Sequence, residues 1–69
     1  MNNSWLTFGA TYDEMLPGGM FATRFRFDDR EVWLPNNCIE IYEEESRVEM
    51  PEWLMINEGL EGFSNDYPS

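Results

Sequence analysis

The sequence has no histidine and no lysine, and it has one cysteine, Cys38, in 69 residues. Without histidine there is no side chain that ordinarily changes charge near neutral pH. Cys38 has neither a histidine partner nor a nearby lysine, and its sequence neighbours are apolar or acidic, which raises a thiol's pKa. A single cysteine cannot form an intramolecular disulfide, and a Cys/His zinc site has too few ligands. The Asp28-Asp29 pair and the Glu43-Glu44-Glu45 run lack the ligand spacing of a calcium loop. Gly18-Gly19 follows Leu16-Pro17 and reads as a turn, not as a phosphate-cradling loop. These absences predict a non-enzymatic protein with no cofactor and no bound metal. Long apolar runs are missing too: none approaches the ~20 residues that cross a bilayer. The start, MNNSWLTFGA, carries neither the basic residues nor the apolar stretch of a secretory signal. A lone thiol suits a reducing compartment, so the expected location is the cytoplasm, without membrane association.

The missing lysines leave Arg24, Arg26, Arg30 and Arg47 as the whole cationic complement, against 14 acids, for a net charge of −10. The imbalance is uneven along the chain. Residues 1–39 hold five acids and three arginines, net −2, whereas residues 40–69 hold nine acids and one arginine, net −8. Such a surface repels phosphate, so direct binding of duplex DNA is not expected. It steers instead toward basic partners, although acidic residues also serve solubility alone.

A chain this short makes one small domain with a limited core. Aromatic mass compensates: three Trp, three Tyr and five Phe, each able to bury ~150–250 Å². Whether Trp5 and Trp33 belong to the core or to an interface stays open at this level. Residues 4–12 read as a first strand, and DEMLPGG as a turn. Phe21, Thr23, Phe25 and Phe27 alternate with Ala22, Arg24 and Arg26, which puts an aromatic face opposite a cationic one. After the polar turn at Asp28-Asp29-Arg30, Val32, Trp33 and Leu34 return as the second arm of a hairpin. Pro35-Asn36-Asn37 interrupts the pattern. Residues 38–44 resume a strand, with Ile39 and Ile41 facing the core and Glu40, Tyr42 and Glu44 in a row on the other side. The three glutamates 43–45 form a solvated turn, and RVEMP is a last strand.

PEWLMINEG then carries the one helix signal. Pro51 suits the first helical position, Glu52 complements the helix dipole, and Gly59 followed by Leu60 is a stop. So short a helix must pack on the sheet, with Trp53 as its expected anchor. The predicted architecture is α+β, mainly β: a small antiparallel sheet or a partial SH3- or OB-like barrel of about four strands with one short C-terminal helix. Residues 1–62 form the domain and residues 63–69 a polar, weakly ordered tail.

Two blocks resemble a short domain common in small bacteriophage and prophage proteins. The first is Val32, Trp33, Leu34, Pro35, Ile39 and Glu40; the second is Pro51, Glu52, Trp53, Leu54, Gly59 and Leu60. They match a W-L-P-K-S-x-I-E stretch followed, after a loop, by P-E-W-L and G-L. The resemblance covers under half the chain and carries no established activity, though some relatives accompany phage nucleic-acid-handling proteins. It implies a phage-encoded protein acting in the host cytoplasm. Asn36-Asn37 stands where the pattern has Lys-Ser, and Glu58 where it has a lysine, so two cations that could contact nucleic acid are missing.

The candidate partner surface is Glu40, Tyr42, Glu43, Glu44, Glu45 and Glu49, together with Asp28 and Asp29. Alternate strand residues stand ~6.8 Å apart, and duplex DNA carries one negative charge per ~1.7 Å of axis. A carboxylate array on this scale suits the phosphate-binding groove of a basic nucleic-acid-handling protein of the host or the phage. The expected function is therefore inhibition of such a protein by DNA mimicry, of the anti-CRISPR or anti-restriction type. An accessory or structural module of a phage replication or recombination complex is the alternative. Single-stranded nucleic-acid binding through Arg24, Arg26 and Arg47 beside aromatic residues is a third reading. Against it, Arg24 and Arg26 are expected to pair with Glu40 or Glu43 across the sheet.

Overall fold

The computed structural model describes residues 6–68. Its six strands are β1 (Thr7–Thr11), β2 (Glu14–Leu16), β3 (Ala22–Phe27), β4 (Arg30–Pro35), β5 (Glu40–Tyr42) and β6 (Arg47–Pro51), followed by a single α-helix, α1 (Glu52–Glu58). They form two antiparallel three-stranded sheets, ordered β1-β6-β5 and β2-β3-β4. The protein is thus α+β and mainly β. No strand pairing among the described residues closes the two sheets into a barrel.

The β3–β4 hairpin follows directly from its alternation. Phe25 and Phe27 point inward and are fully buried, as is Leu34 from the return strand, and Val32 beside it is buried too. Asp28 turns the chain at φ 61°, a left-handed conformation that aspartate tolerates better than most side chains. β2 is an addition to the expected strands. Glu14, Met15 and Leu16 of the DEMLPGG segment pair with Arg26, Phe25 and Arg24, and residues 17–21 connect β2 to β3. The chain passes from the first sheet to the second at Tyr12 and Asp13. Tyr12 N–H donates to the Ser46 carbonyl at 2.9 Å, and Asp13 N–H to the Arg26 carbonyl at 2.8 Å.

One core serves both sheets. Ala10, Val48 and Met50 come from the first sheet, Phe25, Phe27, Val32 and Leu34 from the second, and Tyr12 from the crossing. Ile39 and Ile41 pack against this core while staying partly exposed. The helix begins one residue later than expected: Pro51 is not its first residue but the extended one before it, closing β6, and Glu52 stands in its first turn. Gly59 ends it at φ 70°. The Gly59 and Leu60 N–H groups donate back to Ile56 and Met55, and Leu60 buries itself beyond the glycine, the Schellman arrangement. Arg30 completes the cap from the hairpin, donating Nη1 to the Gly59 carbonyl at 3.0 Å and Nη2 to that of Glu58.

Four further expectations need correction. Trp53 is 51% exposed, and Leu54 and Met55 anchor the helix instead. Four consecutive apolar residues, 53–56, leave the buried face of so short a helix undetermined by sequence, and the packing selects 54 and 55. Phe21 lies just before β3, not on its aromatic face, and is 81% exposed. Arg24 and Arg26 do not reach Glu40 or Glu43, because those acids belong to the other sheet and its adjoining turn. Arg24 pairs with Glu31, and Arg26 with Glu14 and Asp13. Finally, the segment after the helix is tied down. Phe63 packs on Phe27, Ser64 bridges to Ala10, and Tyr67 meets Phe8 edge-on at 4.9 Å while donating its hydroxyl to Glu52.

Candidate functional site

Strand register sorts the surface into two ends. Thr11, Arg47 and Tyr42 lie side by side at one end of the first sheet, and Thr7 and Pro51 pair at the other. In the second sheet Phe27 and Arg30 flank the Asp28-Asp29 turn, while Ala22 and Pro35 close the opposite end. The consecutive bonds of Tyr12 and Asp13 join the 43–46 turn to Arg26 and the hairpin tip. Asp13 also accepts the Asp28 N–H on Oδ2 at 2.6 Å.

The acidic turns therefore lie at one end, while Glu40 and Glu49 pair further along the first sheet. Glu43–Glu45 form a short 3-10 turn with all three side chains exposed. Ser46 closes that turn at φ 53°. With Ile41 and Tyr42 these glutamates line a shallow hollow of about 350 Å³. Asp28 and Asp29 stand exposed at the neighbouring hairpin tip. Asp13 and Glu14, which the sequence reading did not single out, extend the same acidic end. Their only signal in the sequence was a charge pair at the border of a segment that reads as a turn.

The strand row expected of Glu40, Tyr42 and Glu44 is only half present. β5 stops at Tyr42, so Glu44 sits on the 3-10 turn. Tyr42 donates its hydroxyl to Glu40 Oε1 at 2.8 Å, and this bond to a carboxylate raises the tyrosine pKa. Burial raises that of Tyr12, with the nearby Glu43 charge adding to it. Glu49 lies opposite Glu40 but is half-buried and neutralised by Arg47 at 2.9 Å.

All four arginines are occupied internally. Arg24 pairs with Glu31 at 3.5 Å and stacks over the Trp33 ring at 5.4 Å. Arg26 binds Glu14 at 3.2 Å, Arg30 caps the helix, and Arg47 bridges Glu49 and Asp66, each at 2.9 Å. Among the described residues no cation pairs with Glu40, Glu43, Glu44, Glu45 or Asp29.

Among the described residues no group of three or more acidic or cysteine side chains is arranged to hold a metal ion. No helix among them is long and apolar enough to cross a membrane. Cys38 is half-buried, beside Asn37. Comparison with family models, with curated proteins and with solved structures returned no match.

Proposed function

We propose that the protein is a non-enzymatic binding module, phage-encoded, whose acidic end binds and inhibits a basic nucleic-acid-handling protein by occupying its DNA or RNA site. The observation that carries this reading is that each of the four arginines engages a carboxylate or carbonyl of its own chain, beside a set of carboxylates with no cationic partner among the described residues. The buried Arg24 Nε has no hydrogen-bond partner. Glu43, Glu44 and Glu45 stand in a fixed turn, Asp28 and Asp29 beside them, and Glu40 and Tyr42 on the adjoining strand. Carboxylates in a fixed arrangement meet a phosphate-binding groove without the reorganisation that a mobile acidic tail would need. Glu49, cross-strand from Glu40, holds Arg47 in place at 2.9 Å.

Charge-driven association weakens as salt rises, through screening and a slower encounter. Capture of partners from a bacterial lysate, with mass spectrometry to identify them, gives the target on which to measure affinity against ionic strength. The reading expects a basic, nucleic-acid-binding partner. It also expects a steep loss of affinity between about 50 and 200 mM salt, and no mobility shift when the protein is mixed with duplex DNA alone. A salt-insensitive complex with an acidic or neutral partner would remove the basis for mimicry.

A further inference from the structure

The end opposite the acidic one has a different character. Met20 and Phe21 are 84% and 81% exposed, yet they are not loosely held. Asn36 donates its backbone N–H to the Phe21 carbonyl at 2.8 Å and its side-chain Nδ2 to that of Met20 at 3.2 Å. Its Oδ1 accepts the Thr23 hydroxyl at 2.6 Å, which fixes the amide. Gly19 N–H adds a bond to the Ala22 carbonyl at 2.9 Å. Two large apolar side chains are thus held out into water on a braced backbone.

Beside them lies a groove of about 210 Å³ lined by Thr7, Asn37, Cys38, Pro51 and Trp53. It is smaller than the roughly 300–1,000 Å³ of a small-molecule site and suits a single inserted side chain. Asn37 borders both the groove and the Met20–Phe21 projection, so knob and recess share one face. Leu6 is exposed next to Thr7 at the same end. The residues lining the two hollows at this end carry no charge in a protein of net charge −10.

We infer that this end is a self-association surface: two copies pair about a twofold axis, with Phe21 of each seated in the Trp53–Cys38 groove of the other. A face bearing both a projection and its recess is self-complementary, as a twofold contact requires. Electrostatics select the same arrangement. Two bodies of charge −10 repel, and contact through the two uncharged hollows keeps the Glu43–Glu45 and Asp28–Asp29 turns away from the contact, with Glu52, exposed between Pro51 and Trp53, the acid nearest to it. Leu6, Met20, Phe21 and Trp53 expose on the order of 500 Å² of apolar surface. Two such faces make about 1,000 Å², the lower edge of a specific interface, and because area alone does not set affinity the expected range of the association runs from micromolar to millimolar concentration. The pair then presents an acidic end at each extremity.

The test is sedimentation velocity on the full chain from ~5 µM to ~1 mM, at low and high salt. The mass should move from 8.2 kDa toward twice that value, and salt should strengthen the association by screening the repulsion. Partner binding at the acidic end should weaken with salt, so the two surfaces are told apart by the sign of their response. Phe21→Asp, confirmed folded by circular dichroism, should weaken self-association by more than about tenfold, which corresponds to 1.4 kcal/mol. Glu43→Lys with Glu44→Lys and Glu45→Lys should leave association in place. A single monomeric mass up to ~1 mM would overturn the inference, as would a Phe21→Asp variant that associates like the parent.

Discussion

Arg47 meets Asp66 across 19 positions of sequence, Nη2 to Oδ2 at 2.9 Å, and so ties the end of the chain to the first sheet. The same guanidinium holds Glu49, and Asp66 Oδ1 accepts the Gly9 N–H at 3.0 Å and the Ser64 hydroxyl at 2.9 Å. Gly9 leaves room for this reach: a Cβ there would overlap the Arg47 guanidinium, the flexible end of that side chain, and would have to displace it. Arg47→Met should release Asp66 and cost about 1 kcal/mol of stability, the scale of partly exposed, hydrogen-bonded ion pairs. In hydrogen exchange, the Gly9 amide should lose protection before the β3–β4 amides do. Gly9→Ala should reproduce the effect with Arg47 intact, and equal unfolding midpoints for parent and variants would exclude the clamp.

The clamp has an acid limit. Burial pulls the Asp66 pKa upward, but the bonds from Ser64, Gly9 and Arg47 outweigh it and leave the pKa lowered. Hydrogen bonds to Glu49 and Asp66 raise that of Arg47. A folded-state pKa below the unfolded value gives stability that is present above the unfolded aspartate value of ~3.9 and is lost as pH falls through the folded value. The difference in unfolding midpoint between the parent and Asp66→Asn should therefore be full at pH 7 and should shrink progressively as pH falls below the unfolded value of ~3.9. A difference that persists unchanged at pH 2 would mean that Asp66 acts through its shape and not its charge.

The helix offers a sharp contrast between neighbours. Leu54→Ala or Met55→Ala empties the core and should cost about 2–5 kcal/mol, enough to unfold much of a domain this small. Trp53→Ala removes a half-exposed ring and should cost less than either, about 1–2 kcal/mol. Denaturant titration decides it, and a Trp53→Ala variant as damaged as Leu54→Ala would restore tryptophan as the anchor.

At the other end of the helix, Gly59→Ala forces a Cβ into the left-handed region, and about 1 kcal/mol should be lost. Arg30→Ala strips the cap from the Glu58 and Gly59 carbonyls, and a loss of about 0.3–1 kcal/mol should follow. The two groups serve the same helix end, so the double variant should fall short of additive. Strict additivity would show that Arg30 does not act through the cap.

The parts of this fold legible in the sequence were those set by local pattern. Phe25, Phe27, Val32 and Leu34 follow from a period of two, and the helix stop follows from Gly59 and Leu60. What escaped depends on distant pairing. Phe21 continues the alternation on paper, yet Asn36 bonds the 20–21 backbone into a projection outside β3. Glu14 and Met15 sit beside Pro-Gly-Gly, and only the register with Arg26 and Phe25 makes them a strand. Arg24 and Arg26 take their partners from their own sheet, a division that composition cannot reveal. In the candidate site, the exposed Glu43–Glu45 turn was readable as a charge run, whereas Asp13 joins it only through the Asp28 and Arg26 bonds.

Competition at the target tests the central claim most directly. With the captured partner in hand, its complex with labelled nucleic acid is titrated with the protein, and the species are resolved by native gel or light scattering. Mimicry at the nucleic-acid site predicts displacement of the labelled strand in step with formation of the protein–partner complex. Glu43→Lys with Glu44→Lys and Glu45→Lys should displace it at least about tenfold less effectively while remaining folded. A stable ternary complex of protein, partner and nucleic acid would contradict the account.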